Sequence, residues 1–326
     1  MKHSRLLCPD SATQSQPTHS SLAIQNMETA TANLSLEQVF ETATLPALPH
    51  TAVTLMRLSQ DPNAGPNDFA RVIESDPGLM GQVLRFANSA FFGFSRTITS
   101  VQQSITLIGS RAITNFALWN AVFTVIPNPK VGTFDLRMLW QDSLRRAIAA
   151  RHLGKALKLP NADDLFAGAL LQDMAIPILL KEMPQQYEEV FQRRQTESLR
   201  LSRIEEATFG WNHGMAAAML ATIWKLPPSF SELIRHHAEL DTLLGQGPAA
   251  RGQASVALAS CLPSCQESEW AERDVFLAGF AKLVGNTPIN LGELIAKVDS
   301  EAAEFAPLMK LPVPATPILT LMNIAA

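Results

Sequence analysis

Tyrosine is nearly absent from this chain, cysteine is scarce, and long runs of one character are missing; each shortage removes a class of protein. Three cysteines in 326 residues, Cys8, Cys261 and Cys265, are too few for a disulfide scaffold. Cys261 and Cys265 flank Pro263 and form no Cys-x-x-Cys pair, so they read as reduced core or loop residues rather than zinc or redox ligands. No block of five like charges occurs, and a net charge of -4 leaves no footprint for nucleic acid or a polyanion. No apolar stretch approaches the roughly 18 to 20 residues of a membrane span. The first 34 residues lack the apolar run of a signal peptide, so a cytoplasmic protein is expected, with no membrane insertion. Neither G-x-G-x-x-G, Walker A nor G-x-S-x-G is present, which leaves nucleotide-fold and hydrolase-elbow readings without footing.

What remains is 47% hydrophobic and built for helices. Apolar residues recur at helical spacing, and the segments between them carry helix punctuation. Pro66 opens PNDFARVIES; Asp76 caps and Pro77 starts GLMGQVLRFAN; Ser100 caps VQQSITLIG and Gly109 stops it. RAITNFALWNAVFTVI is apolar almost all round and belongs at the centre of its lobe. After Pro127 and Pro129, FDLRMLWQDSLRRAIAARHLGKALKL predicts one long amphipathic helix ending near Pro160. Asn212 can cap HGMAAAMLATIWKL, and Pro227-Pro228 opens SFSELIRHHAEL. The fold class is all-α and two-lobed, with a C-terminal helical extension. Residues 1–36, rich in Ser, Thr, Gln and Asn, read as a disordered tail in which Met27 is an alternative start. The lobes are placed at 37–128 and 129–246, the last helices at 247–312 and a C-terminal tail at 313–326.

One stretch resists a purely structural reading. In AGALLQDMA, Ala167 to Ala175, Gln172 and Asp173 stand in an apolar run with apolar residues on both sides. No solvent face explains the pair, so the carboxylate belongs to a buried site, past or present. If one helix runs through Pro177, the carbonyl of Asp173 loses its partner and the helix kinks there.

Four motifs in order carry a resemblance. They are LPALP at Leu45 to Pro49, VIESDPGL at Val72 to Leu79, FANSAFFG at Phe86 to Gly93 and SVQQSITLIGSRAI at Ser100 to Ile113. With WQDSL, AGALLQDMA, FGWNHGMAAAMLATIWKLP and IRHHAEL they make residues 38–312 resemble the HDOD family, bacterial output domains related to HD and HD-GYP phosphohydrolases. The resemblance implies that the QDMA segment stands where catalytic relatives carry His-Asp-x-Gly. It places Asp142 at the early His position, Gln172 and Asp173 at the His-Asp pair, and His213, His236 and His237 where metal-binding relatives have histidines. Ser260 falls at the late Asp position. A divalent metal, if held at all, would then be held by Asp142, Asp173, His213, His236 and His237. Adjacent helical residues point about 100° apart, so at most one of His236 and His237 faces a given site.

The structural alternative is a buried ionic network in which Asp173 pairs with a histidine or with Arg145 or Arg146. Breaking such a network costs about 3 to 5 kcal/mol. The Gly-Tyr-Pro segment of cyclic di-GMP phosphodiesterases is missing, and the single tyrosine is Tyr187. His152 matches no ligand position, and His3, His19 and His50 lie in the tail or an entry loop. In the first lobe, Asn88, Ser89, Phe91, Phe92 and Phe94 form a patch read as structural or as a protein-contact site. The expectation is a non-catalytic signalling module with no required cofactor, acting on partner signalling proteins. The alternatives are a metal-dependent phosphohydrolase of a nucleotide or phosphodiester, and a module that senses a nucleotide.

Overall fold

The computed structural model describes residues 35–89, 92–197, 199–265 and 270–322. The span expected as the first lobe, 37–128, holds α1 (Leu36–Thr42), α2 (His50–Gln60), α3 (Pro66–Glu74), α4 (Pro77–Ala87), α5 (Val101–Ile108) and α6 (Ser110–Val125). The span expected as the second lobe, 129–246, begins with α7 (Leu136–Ala156), α8 (Ala162–Leu171), α9 (Ile176–Glu182) and α10 (Pro184–Glu197). It continues with α11 (Leu201–Phe209), α12 (His213–Ile223), α13 (Pro228–Arg235) and α14 (Leu240–Gly245). After a single 3-10 turn come α15 (Arg251–Ala259), α16 (Arg273–Val284), α17 (Leu291–Leu308) and α18 (Ile318–Met322). Among the described residues there is no strand.

The punctuation works as its chemistry requires. The Asp76 carboxylate accepts the N–H groups of Gly78 and Leu79, with Pro77 in the first turn. The Ser100 hydroxyl accepts from Gln103 N–H. Gly109 takes φ 101°, a left-handed value that lets α5 end and α6 begin on consecutive residues. Helix α6 is buried along most of its length and packs on α2 and, across the lobes, on α8. The indole of Trp224 donates to the Pro46 carbonyl at 2.9 Å, which ties the second lobe to the entry loop.

Helices α7 and α8 form the spine of the second lobe, with α15 and α17 also packed on α7. The QDMA segment departs from a continuous kinked helix. Helix α8 stops at Leu171, residues 172–175 form a turn, and α9 starts at Ile176 with Pro177 in its first turn. There the missing proline N–H is not needed. The Asp173 carbonyl accepts from Ile176 N–H at 3.1 Å, so it is not left free.

The described part of the expected C-terminal tail, residues 313–322, folds back onto α7. Gln141 donates to the Pro312 carbonyl and the buried Arg145 to the Thr316 carbonyl. The Asp299 carboxylate accepts the N–H groups of Ile318 and Leu319 at 2.9 and 3.0 Å and lies 3.5 Å from Arg145. Ile318 and Met322 are fully buried. Asp299→Ala leaves the Arg145 guanidinium without its carboxylate in a buried setting. A loss of about 3 kcal/mol is expected, measured as a lower urea midpoint with new proteolytic cleavage after residue 310. Residues 1–34, and with them nearly all of the expected N-terminal tail, lie outside the described residues, as do 323–326; the capping box of Ser35 and Gln38 starts α1 within that tail's last two positions.

Candidate functional site

Three ligand-type atoms meet where the turn after α8, the start of α12 and the end of α13 converge. Asp173 stands in the turn, His213 is the first residue of α12, and His237 lies two residues beyond α13. Asn212 fixes the start of α12 by accepting from Met215 N–H at 3.1 Å. Gly214 permits the convergence: a Cβ there would stand 2.9 Å from the Arg235 carbonyl oxygen and 3.1 Å from the His237 ring. His213 Nε2 is 3.0 Å from His237 Nε2. Asp173 Oδ1 lies 3.4 Å from the first nitrogen and 3.5 Å from the second. All three side chains are buried, at 7% exposure or less.

A second layer sets the tautomers. His213 Nδ1 lies 2.6 Å from Glu205 Oε2, which also accepts the His213 backbone N–H at 2.8 Å. Tyr187 donates its hydroxyl to the other Glu205 oxygen at 2.8 Å. His237 Nδ1 lies 2.6 Å from the Ile234 carbonyl, an acceptor only, so this nitrogen carries the proton. Both Nε2 atoms therefore face each other and Asp173 Oδ1. Two lone pairs cannot sit 3.0 Å apart without a proton or a metal ion between them.

In the protein alone that species is a proton on His213. Burial by itself would lower the pKa of His213, but Glu205 and Asp173 outweigh it and raise the value to about 9. Burial, and then the charge on His213, push His237 down to about 3. Burial acts to raise Asp173, yet Arg146, His213 and His237 hold it far below the usual carboxylate range. Arg146 Nη1 is 2.6 Å from the second oxygen, Asp173 Oδ2.

The same geometry suits a metal. With bond lengths of about 2.1 Å, ligand atoms spread by 90° to 109° lie roughly 3.0 to 3.4 Å apart. The observed 3.0, 3.4 and 3.5 Å match that spread closely. The Glu205 and Ile234 contacts supply the outer hydrogen bonds that metal-binding histidines use. Asp173, His213 and His237 thus form a group able to hold a divalent ion, with two imidazoles and one carboxylate suited to zinc, iron or manganese.

The remaining expected ligands stand elsewhere. Asp142 is buried on α7, where its carboxylate accepts the Ser264 hydroxyl and the Cys265 N–H at 2.7 Å; it holds that loop. His236 points outward, 3.4 Å from Glu232 and 3.1 Å from Glu239, so of the adjacent pair only His237 faces the cluster. Gln172 is fully buried, with its amide nitrogen 3.4 Å from Asp173 Oδ2 and its carbonyl oxygen unpartnered. The Ser260 hydroxyl lies 2.8 Å from the His237 carbonyl and accepts from Arg200 at 2.8 Å. Glu205 went unnoticed in the sequence, and only the burial of its helix neighbours reveals it. It lies four residues after the buried Leu201 and next to the buried Ile204, while Glu206 beside it is half-buried and accepts from Asn212 at 2.6 Å.

In the first lobe, Asn88 brackets the loop by accepting from Ile98 N–H at 2.7 Å and donating to the Ile98 carbonyl at 2.8 Å. Ser89 donates to the Phe86 carbonyl. Phe92 meets Phe86 edge-on at 5.0 Å and stacks on Phe94 at 6.0 Å. Phe94 is 39% exposed, and Phe91 lies outside the described residues.

Comparisons with known proteins agree with this architecture. The sequence profile of the HDOD domain matches residues 45–240. An uncharacterized protein of Treponema pallidum is 23% identical over 217 residues, covering 66% of this chain and 41% of that protein. The chain thus spans less than half the length of that curated relative. An HDOD domain protein of unknown function from Geobacter sulfurreducens superposes with a TM-score of 0.63 at 18% identity, over 84% of this chain and 95% of its own. A protein of Shewanella amazonensis provisionally named a phosphohydrolase gives 0.61 at 18% identity, over 88% and 97%. These two likenesses carry the helical fold. No helix of the described residues is long and apolar enough to cross a membrane.

Proposed function

Because the chain belongs to the HDOD family, we propose that it is a non-catalytic output module of bacterial signal transduction that acts in the cytoplasm by contact with other signalling proteins. The observation that carries this reading is the Arg146 guanidinium 2.6 Å from Asp173 Oδ2, which leaves Oδ1 as the one oxygen of that carboxylate facing the two histidines. A fixed positive charge already satisfies the carboxylate. The supporting facts point the same way. Asp142 is spent on the Ser264–Cys265 loop, and a neutral Ser260 stands where relatives carry an acid. Three donors remain, and all three are buried.

A second reading has its own support in the donor spacing. Asp173, His213 and His237 would hold a divalent ion, which would supply Lewis acidity and a bound water if coordination stayed open. The chain's own groups would orient that ion: Glu205 and the Ile234 carbonyl fix the two rings, and Arg146 fixes the carboxylate. One experiment separates the readings. The full chain, purified without chelator, is analysed for bound metal and assayed against nucleotides and phosphodiesters with added Mn, Fe, Mg or Zn. No turnover is expected. Turnover that disappears in Asp173→Ala would sink the contact-module reading, whereas stoichiometric metal without turnover would leave the ion a structural part of it.

A further inference from the structure

A groove of about 680 Å³ opens over one stripe of α12: Met215, Ala218, Met219, Thr222 and Ile223. Ile223 is 45% exposed and both methionines are half-buried, so the described residues leave this largely apolar stripe partly open. Methionine is the side chain best able to mould itself to an apolar ligand. Phe209 and Trp211, stacked at 4.9 Å, add aromatic lining.

The lining holds one cation, and its place is defined. The Ser231 hydroxyl donates to the Ala218 carbonyl at 3.1 Å, and a Cβ on Gly214 would stand 2.9 Å from the Arg235 carbonyl oxygen. Helices α12 and α13 therefore run antiparallel here, with Arg235 at the Met215 end of the groove and Ile223 at the other. The exposed Arg235 guanidinium has no ion pair or hydrogen bond among the described residues. The acids nearest it in sequence, Glu232 and Glu239, lie 3.4 and 3.1 Å from His236 instead. Glu37, the other charged residue of the lining, is exposed at the start of α1 and forms no ion pair with Arg235.

Size separates a small ligand from a protein. Thirteen residues line the groove, whereas each side of a stable protein interface contributes about 20–30. Its volume instead falls inside the roughly 300–1,000 Å³ of small-molecule sites. From Met215 to Ile223 the floor is about 12 Å long, room for an extended medium-length alkyl chain. An apolar trough with one uncommitted guanidinium at one end suits an amphiphile with an anionic head, and Arg presents paired N–H donors that match a carboxylate.

We propose that this groove binds a medium-chain aliphatic carboxylate, its chain along Met215, Met219 and Ile223 and its head on Arg235. The site lies apart from the histidine cluster, so it stands or falls whatever the buried centre does, and it would give the module a chemical input of its own.

The test uses the full chain with methyl-13C-methionine, its resonances assigned through Met215→Leu and Met219→Leu. Decanoate, added below its micelle concentration, should shift the Met215 and Met219 methyl signals saturably. Hexanoate should bind at least about tenfold more weakly, because each methylene moved out of water adds to affinity. Arg235→Gln should weaken decanoate about tenfold, the loss of one charge-assisted contact, and leave decanol unaffected. Ile223→Asp, at an exposed position that keeps the melting temperature, should abolish the shifts. The proposal is overturned if the two methyl signals do not saturate, or if decyltrimethylammonium binds as tightly as decanoate. It is equally overturned if Arg235→Gln has no effect, or if the two signals move with protein concentration alone, which would mark the groove as a contact between copies.

Discussion

Asp173→Ala is expected to lower the unfolding free energy by about 3–5 kcal/mol, the cost of removing one partner from a buried ionic cluster. The substitution strips Arg146 of its closest anion and takes away one of the two carboxylates that keep His213 charged. Both cations, the mostly buried Arg146 and the buried His213, would then lose the carboxylate they share. Chemical denaturation of the purified chain measures the loss. A double-substitution cycle with Arg146→Ala assigns it, since the two changes share one interaction and should fall well short of additivity. If chelation of the unaltered protein alone reproduces the loss, an ion and not Arg146 holds the cluster together. A loss under 1 kcal/mol would mean that the cluster is not the closed network described.

Glu205→Gln is the second large effect, and it shows in the pH profile. His213 has its pKa raised from 6.5 to about 9, so its contribution to stability is fully present below pH 6.5 and is lost as pH rises through about 9. His237, lowered to about 3, acts in the opposite direction: the folded protein keeps it neutral, and stability falls as pH drops below 6.5 toward 3. These two rings together favour a maximum near pH 6.5. Removing the charge of Glu205 while keeping its shape weakens hydrogen bonds to a charged partner, a loss of about 2–3 kcal/mol near neutral pH. The alkaline arm between pH 6.5 and 9 should flatten in the variant, while the acid arm persists. An alkaline arm as steep as before would show that Glu205 does not hold the His213 proton.

Local chemistry was legible in the sequence and long-range chemistry was not. Asp76-Pro77, Ser100 with Gly109, and Asn212 announce helix ends because cap and capped groups lie within three residues of each other. Asp173 was conspicuous because an acid in an apolar run has few explanations. Where Asp142 goes was hidden, because its partners Ser264 and Cys265 stand more than 120 residues away along the chain. The break at residues 172–175 was hidden too, since Pro177 fits the first turn of a new helix as well as a kink in an old one. Glu205 looked like any surface acid until its neighbours on α11 were known to be buried. Residues 313–322 looked like a tail because their anchors, Arg145 and Asp299, belong to other helices.

Helix α7 has a practical consequence for anyone preparing a shortened protein. Its residues 141, 142 and 145 grip the last part of the chain and the loop at 264–265, while Arg146 reaches the histidine cluster. A fragment trimmed to the profile boundaries, 45–240, would discard α15 and α17 and leave bare the flank of α7 that they cover. Such a fragment should clump during expression, and insolubility would say nothing about whether the intact molecule is well behaved.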